Sequence, residues 1–487
     1  MGFTLSASAA SAIDTDVLAL IVGAEWSGDA TSQLGAEFGG ELVAIAKEEG
    51  FEGKPGQKFI SHTLGRATAR RVLLVGAGDK ALTTDQQKDL GATISKAGGA
   101  VRARNAAVWT AWSSPRWTDA DRAAGLVAEG LLLGTYRFDK HKAEREELPV
   151  LADFTLLGTQ AKSAVARAES VAAGVVLARD LVNEPPQICT PDFMADCART
   201  LAEKYGFEIE IFDRAALEAK GMNLHAAVGR GSVEEPCLIH LTWKGKNATK
   251  KIAYVGKGVT FDTGGYSLKP AASMVNMHCD MAGGAAVLGA AEALGRIKPD
   301  GVEVHFIVPS ASNRVSNNAY TVNEIIKGYG GKTVEIINTD AEGRLLLADA
   351  LAYAVELGAD EIIDLATLTG ACVVALGENY TALFSNNDGM AAAVLAAAST
   401  SGERFWHMPL DERLRDKLKS AHADMKNVGD RWGGAITAAL FLKEWVGETH
   451  WTHLDIAGPA FLDAEGSLGP KGGTGHGVAA LVAYATR

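Results

Sequence analysis

The sequence predicts an α/β protein organised as two domains, and three observations carry that expectation. Its 487 residues exceed what one ordinary hydrophobic core organises. Apolar runs of strand length alternate along it with stretches of helical spacing. Composition is that of a folded chain, with 47% hydrophobic and 22% charged residues and 54 glycines to supply tight turns.

In the N-terminal part, Val17 to Val22, Arg71 to Val75 and Ala106 to Thr110 read as strands and Ala120 to Leu133 as a helix, which is a βα pattern. From Ala164 to Val182 the spacing of Val165, Val171, Val175, Val176, Ala178 and Leu181 predicts one long helix. Asn183-Glu184-Pro185-Pro186 ends it, because proline has no N–H to continue the ladder. The junction is placed here, giving residues 1–163 as the first domain, 164–190 as a linking helix and loop, and 191–487 as the second. In the second, Cys237 to Thr242, Ile252 to Val255, Val302 to Val308, Thr333 to Ile337 and Glu361 to Leu365 read as strands between helices. Ligands of such a sheet are expected at the strand ends. The Ala-rich Met390 to Ala398 reads as a plain helix.

A net charge of -12 argues against nonspecific nucleic-acid binding, which needs a basic surface. No run of about eighteen apolar residues is present to span a bilayer. Met1 to Asp14 lacks the basic start and apolar core of a secretory signal, so the cytosol is the expected location. The five cysteines, Cys189, Cys197, Cys237, Cys279 and Cys372, are odd in number and mostly far apart, which suggests reduced thiols.

Chemistry concentrates in two clusters. The first is Asn338-Thr-Asp340-Ala-Glu342-Gly-Arg344, where a predicted strand turns into a helix over Leu345 to Leu357 that ends at Gly358. A lone Asp there reads most simply as a helix cap; two acids and an arginine together weaken that reading. The second is Lys257-Gly-Val-Thr-Phe-Asp262-Thr-Gly-Gly265, past the strand Ile252 to Val255, with Lys269 following and Asp280 after a polar loop. Gly264-Gly265 serves either as a simple turn or as a place where backbone approaches a ligand closely. Four carboxylates converging without a compensating basic cluster would repel one another unless divalent cations neutralise them. Oxygen ligands without His or Cys suit Mn²⁺ or Mg²⁺ by softness, and Zn²⁺ also accepts carboxylates.

These segments resemble the leucyl aminopeptidase family, the M17 peptidases, whose signature N-T-D-A-E-G-R-L stands unbroken as Asn338 to Leu345. The resemblance extends over Val255 to Gly265, Ser267 to Pro270, Asp280-Met281, Asp364 to Gly370 and His453 to Gly458. It implies a macro-like N-terminal α/β domain and a larger C-terminal mixed-sheet α/β catalytic domain of the zinc-exopeptidase type. It further implies two divalent metal ions, Mn²⁺ or Zn²⁺, with Asp262 and Glu342 bridging, Asp340 completing one site, and Lys257 with Asp280 completing the other. A lysine ligand must bind as the neutral amine, which adjacent cations make possible by lowering its pKa. By the same resemblance Lys269 polarises the scissile carbonyl, and Arg344 holds a bicarbonate that acts as base toward a metal-bridging water. Anchoring the substrate's α-amine at a metal would then explain cleavage at the N-terminus.

Family positions lining the pocket for the first side chain fall on Met277, Thr367, Leu368 and Gly370, implying a preference for leucine-like residues. Short peptides with a free N-terminus and a homohexameric assembly are implied likewise. Some members also bind DNA, which the acidic balance argues against here. Where many members have Arg-Pro-Gly-Asp, this chain has Thr321-Val322-Asn323-Glu324, so that turn must be built differently. His278 and Cys279 beside Asp280 are left out of the ligand set, since neighbours along a chain point in different directions. Gly76-Ala-Gly78 is too short for a dinucleotide loop, and Gly472 to Gly475 reads as a structural turn.

Overall fold

Six consecutive buried apolar residues, Val17–Val22, can be covered on both faces only inside a parallel sheet, and that is where they lie. The computed structural model describes residues 2–24, 40–110, 112, 114, 116–144 and 151–487; Met1, the first residue of the stretch read for a secretory signal, lies outside them. The chain divides into one unit of Met1–Ala172 with Glu465–Pro470 and another of Ala173–Ala464 with Lys471–Arg487.

In the first unit six strands lie in the order Gly2–Ser6, Asp153–Leu157, Asn105–Trp109, Val17–Val22, Arg71–Gly76, Lys58–His62. All neighbours are parallel except the last pair. Two helices, Thr84–Ala100 and Ala120–Gly134, pack at backbone distance: a Cβ on Gly91 would stand 2.1 Å from the Val127 carbonyl oxygen. Lys88 and Glu129 form a buried ion pair between them. The helix predicted over Ala164 to Val182 is observed as Lys162–Asn183.

The second unit is built on a nine-stranded mixed sheet, whose central strands His450–Asp455, Glu361–Ala366, Lys250–Gly256 and Val302–Asn313 are parallel neighbours. Cys237–Lys244 and Glu208–Phe212 extend it antiparallel on one side. Residues of interest sit at the carboxyl ends of the parallel strands, as the sheet type requires: Lys257 after Gly256, Asn313 at the end of its strand, Thr367 after Ala366, and Asp455. Gly258–Asp262 is an additional short strand, parallel to Val302–Asn313, that ends on Asp262 opposite Asn313. The alanine-rich stretch lies within the helix Asp388–Ser401.

One of the expected strands lies outside the main sheet. Thr333 to Ile337 shortens to Thr333–Glu335 and leaves the main sheet, pairing with Ile325–Lys327 and Met425–Lys426 in a small sheet of its own. Beyond Glu335 the backbone is captured by a side chain, with Asn427 Oδ1 accepting the Ile337 N–H at 2.8 Å. The Thr321–Glu324 turn closes on its own acid, Glu324 Oε1 accepting the Thr321 N–H at 2.8 Å, while Asn323 takes the left-handed conformation at φ 68°. Gly472 and Gly473 pair with Phe461–Leu462 as a structural turn. Among the described residues no helix is long and apolar enough to cross a membrane, and the five cysteines are free.

The helix Ala282–Ile297 crosses the strand ends so closely that a methyl on Gly283 would stand 2.1 Å from the Leu365 carbonyl oxygen and 2.9 Å from the Lys257 nitrogen. Gly283→Ala is therefore expected to lower the unfolding free energy by about 2–3 kcal/mol. A urea titration reads this directly, and an unmoved midpoint would contradict the packing.

Candidate metal centre

Lys257 leaves its strand with its N–H donated to the Leu365 carbonyl at 2.9 Å, which fixes the backbone and turns the side chain into the protein. Its ammonium donates to Asp280 Oδ1 at 2.7 Å and to the Thr367 carbonyl at 3.1 Å, and lies 2.8 Å from Glu342 Oε1. The three side chains are buried, 3%, 6% and 2% exposed. Gly343 makes room for this lysine: a Cβ there would meet Lys257 Cε at 2.5 Å and Nζ at 2.7 Å. Glu342 occupies the N-cap position of the helix Gly343–Glu356 but makes no capping hydrogen bond, so the cap reading of this acid does not hold.

Asp262 ends its strand with Oδ1 accepting from Asn313 Nδ2 and from the Gly264 N–H, each at 2.8 Å. Lys269 Nζ stands 2.9 Å from Asp262 Oδ2 and 2.6 Å from Asp340 Oδ1. Gly264-Gly265 forms a turn that also brings the backbone close to Asp340. Their φ values of 85° and 61° favour glycine, and a Cβ on Gly264 would come within 2.8 Å of Asp340 Oδ1. Asp280 is carried on the 3-10 turn Met277–Met281, where Thr367 Oγ1 donates to its Oδ1 at 2.7 Å.

The structure thus brings Asp262, Asp280 and Glu342 together, with one ligand atom of each within 4.8 Å of the others. Asp340 joins through Lys269 rather than as part of that group. The expectation of carboxylates without a compensating basic cluster is corrected here: Lys257 and Lys269 each stand between two acids. Sequence distance hid this, because the partners are brought together by separate strand ends.

Burial raises the pKa of Asp280 well above the ordinary range; Glu342 and Asp262 add to the shift and Lys257 opposes it. Asp262 and Asp340 are raised for the same first reason, burial. Burial would depress the two ammonium groups, but the acids around them outweigh it and both end raised. Two buried carboxylate oxygens, Asp280 Oδ2 and Glu342 Oε2, have no hydrogen-bond partner among the described residues. Oxygens of this kind, crowded and unsatisfied, fit a hard divalent cation.

Arg344 is buried, and burial lowers its pKa to about 10. Its Nη1 donates to the Asn427 carbonyl at 2.8 Å, while its Nε has no partner among the described residues, which suits a small oxyanion. Met277 heads the turn that carries Asp280, Thr367 touches Asp280, Leu368 packs against the main core, and Gly370 is exposed, with nothing within 4 Å of where a Cβ would be. His278 lies edge-on to Phe461, its ring centroid 5.6 Å away, outside the carboxylate group.

Three supporting residues escaped sequence reasoning. Asn313 holds both Asp262 and the Thr339 carbonyl. Asn427 holds Ile337, Asn338 and Arg344. Asp455 accepts from the Leu368 N–H at 3.2 Å and from Thr369 Oγ1 at 2.7 Å. Asp455 stands inside a quoted motif and could have been flagged as a buried acid at a strand end; the two asparagines carry no local signal.

Comparison with known proteins settles the family. The profile of the cytosol aminopeptidase family, catalytic domain, matches residues 176–482, and that of its N-terminal domain matches residues 17–145. The chain belongs to the cytosol aminopeptidase family. Among its relatives, a probable cytosol aminopeptidase of Synechococcus is 43% identical over 99% of both chains. One from Cyanothece is 41% identical over 93% of this chain and 92% of its own. A tomato leucine aminopeptidase mutant superposes with a TM-score of 0.92 at 37% identity, covering 100% of this chain and 96% of that one. A bottromycin maturation enzyme in complex with Mn gives 0.88 at 35% identity, covering 97% and 99%. As a cytosol aminopeptidase family member, the protein is a metal-dependent hydrolase that acts at the N-terminus of peptides.

The raised carboxyl groups bind protons that a cation must displace. Against an unfolded chain of ordinary pKa, groups raised in this way favour the fold in acid and lose that contribution as pH climbs through the folded value. Saturating Mn²⁺ is therefore expected to raise Tm by a larger increment at about pH 8 than at about pH 5.5. Differential scanning fluorimetry checks it; an increment that shrinks with pH would contradict the protonation argument.

Proposed function

We propose that the protein releases leucine-like N-terminal residues from short peptides, using two divalent cations held by Lys257, Asp262, Asp280, Asp340 and Glu342. The observation that carries this reading is the buried group of three carboxylates, with two unsatisfied oxygens, between Lys257 and Lys269. The Mn-bound neighbour supports manganese, and Zn²⁺ suits the same donors.

The cations supply Lewis acidity and a water of lowered pKa. Lys269, less buried than Lys257 and charged at neutral pH, offers its ammonium to the scissile carbonyl oxygen and stabilises the negative charge that develops there. Arg344, whose Nε has no partner among the described residues, would hold a bicarbonate, which would supply a base for the attacking water. Thr367 fixes Asp280, so the wall of the side-chain pocket and the metal-binding acid move as one piece. Met277 and Leu368 give that pocket apolar surface, and Gly370 leaves its mouth open. The acidic centre favours a protonated or metal-bound α-amine over a blocked one, which restricts the reaction to free N-termini. Cytoplasmic location and a homohexameric assembly rest on the family alone.

The test compares leucine amide with N-acetyl-leucine amide using Mn²⁺-loaded protein. Cleavage of the free amine alone supports the reading; equal cleavage of both would sink the amine requirement. Lys269→Ala is expected to reduce kcat by about a hundredfold or more with a smaller change in KM, as for loss of an oxyanion donor.

A further inference from the structure

Large apolar side chains left in solvent gather on the segments that build the metal centre. Tyr266 and Leu268 lie on the loop leading into Lys269, and Ile337 on the segment leading into Asp340. Val374 lies in the helix Gly370–Leu376, which begins at a pocket residue, and Trp432 just before the helix Gly434–Lys443. Leu268 is 60% exposed, Trp432 70% and Val374 90%.

These segments are tied edge to edge. The Ser267 N–H donates to Thr339 Oγ1 at 2.7 Å and the Thr339 N–H returns to Ser267 Oγ at 3.1 Å. Asn427 joins that pair to the next segment through Ile337, Asn338 and Arg344. Beyond Asn427, a Cβ on Gly434 would come within 3.2 Å of Ala371 Cβ, which links the loop bearing Trp432 to the helix that starts at Gly370. The segments that carry the exposed apolar groups are therefore joined in one series to those of the metal centre, as its rim. A rim of this kind on one side of a polar cluster marks a surface that receives an apolar ligand.

Within the rim Trp432 stands out by how it is held. Its backbone N–H donates to Asp430 Oδ1 at 2.9 Å, and its backbone carbonyl accepts from Lys417 Nζ at 3.0 Å. Lys417 also binds Asp430 at 2.7 Å, which closes a ring of polar contacts around the Trp432 backbone. The Arg431 guanidinium sits 5.4 Å from the indole centroid. An aromatic ring on a fixed backbone loses little entropy when it binds, so its contact area converts efficiently into affinity.

We propose that Trp432 determines specificity in the aminopeptidase reaction by receiving an aromatic side chain of the leaving peptide, beyond the residue that is released. This inference rests on the function proposed above. Because the contact lies away from the reacting bond, it serves ground state and transition state alike and acts through KM.

The experiment measures leucine release from Leu-Phe-Gly and Leu-Gly-Phe against Leu-Gly-Gly with Mn²⁺-loaded protein. Wild type is expected to favour a phenylalanine peptide in kcat/KM by about fivefold, through KM, as one aromatic contact supplies. Trp432→Ala removes the preference and Trp432→Phe keeps most of it. Absence of the preference in wild type, or its survival in Trp432→Ala, overturns the proposal. So does a drop in the sedimentation coefficient of Trp432→Ala, which would make a second copy of the chain the occupant of the rim. Failure to release leucine from any of the three peptides would instead remove the aminopeptidase reading, and this assignment with it.

Discussion

The ammonium of Lys257, buried between Asp280 and Glu342, sets the terms for everything around it. An isolated charge at that depth would cost several kcal/mol, and so would either acid alone. The ion pairs offset those costs only if the geometry is held, and the surrounding chain holds it. Gly343 has no side chain because the lysine stem lies there, and Gly283 has none because the helix must reach the strand end that fixes the Lys257 backbone. Of two positions that look like generic small residues, one is thus set by the lysine side chain and the other by the backbone at the same strand end.

The second ammonium repeats the arrangement between Asp262 and Asp340. Four carboxylates against two ammonium groups leave an excess of two negative charges in a largely buried space, and burial first, with the neighbouring acids adding to it, raises the carboxyl pKa values. Divalent cations answer it better than protons, since one ion can satisfy several oxygens at once. For Lys257 to act as a ligand it must surrender a proton that three acids stabilise, so metal loading and proton loss are linked at this residue. In the proposed centre the same lysine, an ion-pair partner in the structure, would become a metal ligand through one nitrogen.

Much of this was legible in the sequence, and the reasons it was or was not are physical. Val17–Val22 and Glu361–Ala366 were found because continuous apolar runs have few other homes than a covered parallel sheet. The unbroken Asn338 to Leu345 signature located the turn with two acids. The strand from Thr333 ends at Glu335, short of the expected Ile337, because the Ile336 N–H goes to the Glu324 carbonyl and the Ile337 N–H to the Asn427 side chain 90 residues away, which no local pattern encodes. Gly258–Asp262 escapes sequence reasoning as a strand since it is only five residues long and follows directly on Lys257 at the end of another strand. The pairing of Lys257 and Lys269 with the acids was invisible for the same reason: it depends on which strand ends meet.

Counting the cations bound at equilibrium tests the central claim most directly. Metal-stripped protein dialysed against Mn²⁺ and analysed by atomic emission should carry two ions per chain, and Asp280→Ala should carry fewer at the same free concentration. Retention of the full complement by Asp280→Ala, or no stoichiometric binding by the wild type, would contradict a centre built from the acids around Lys257.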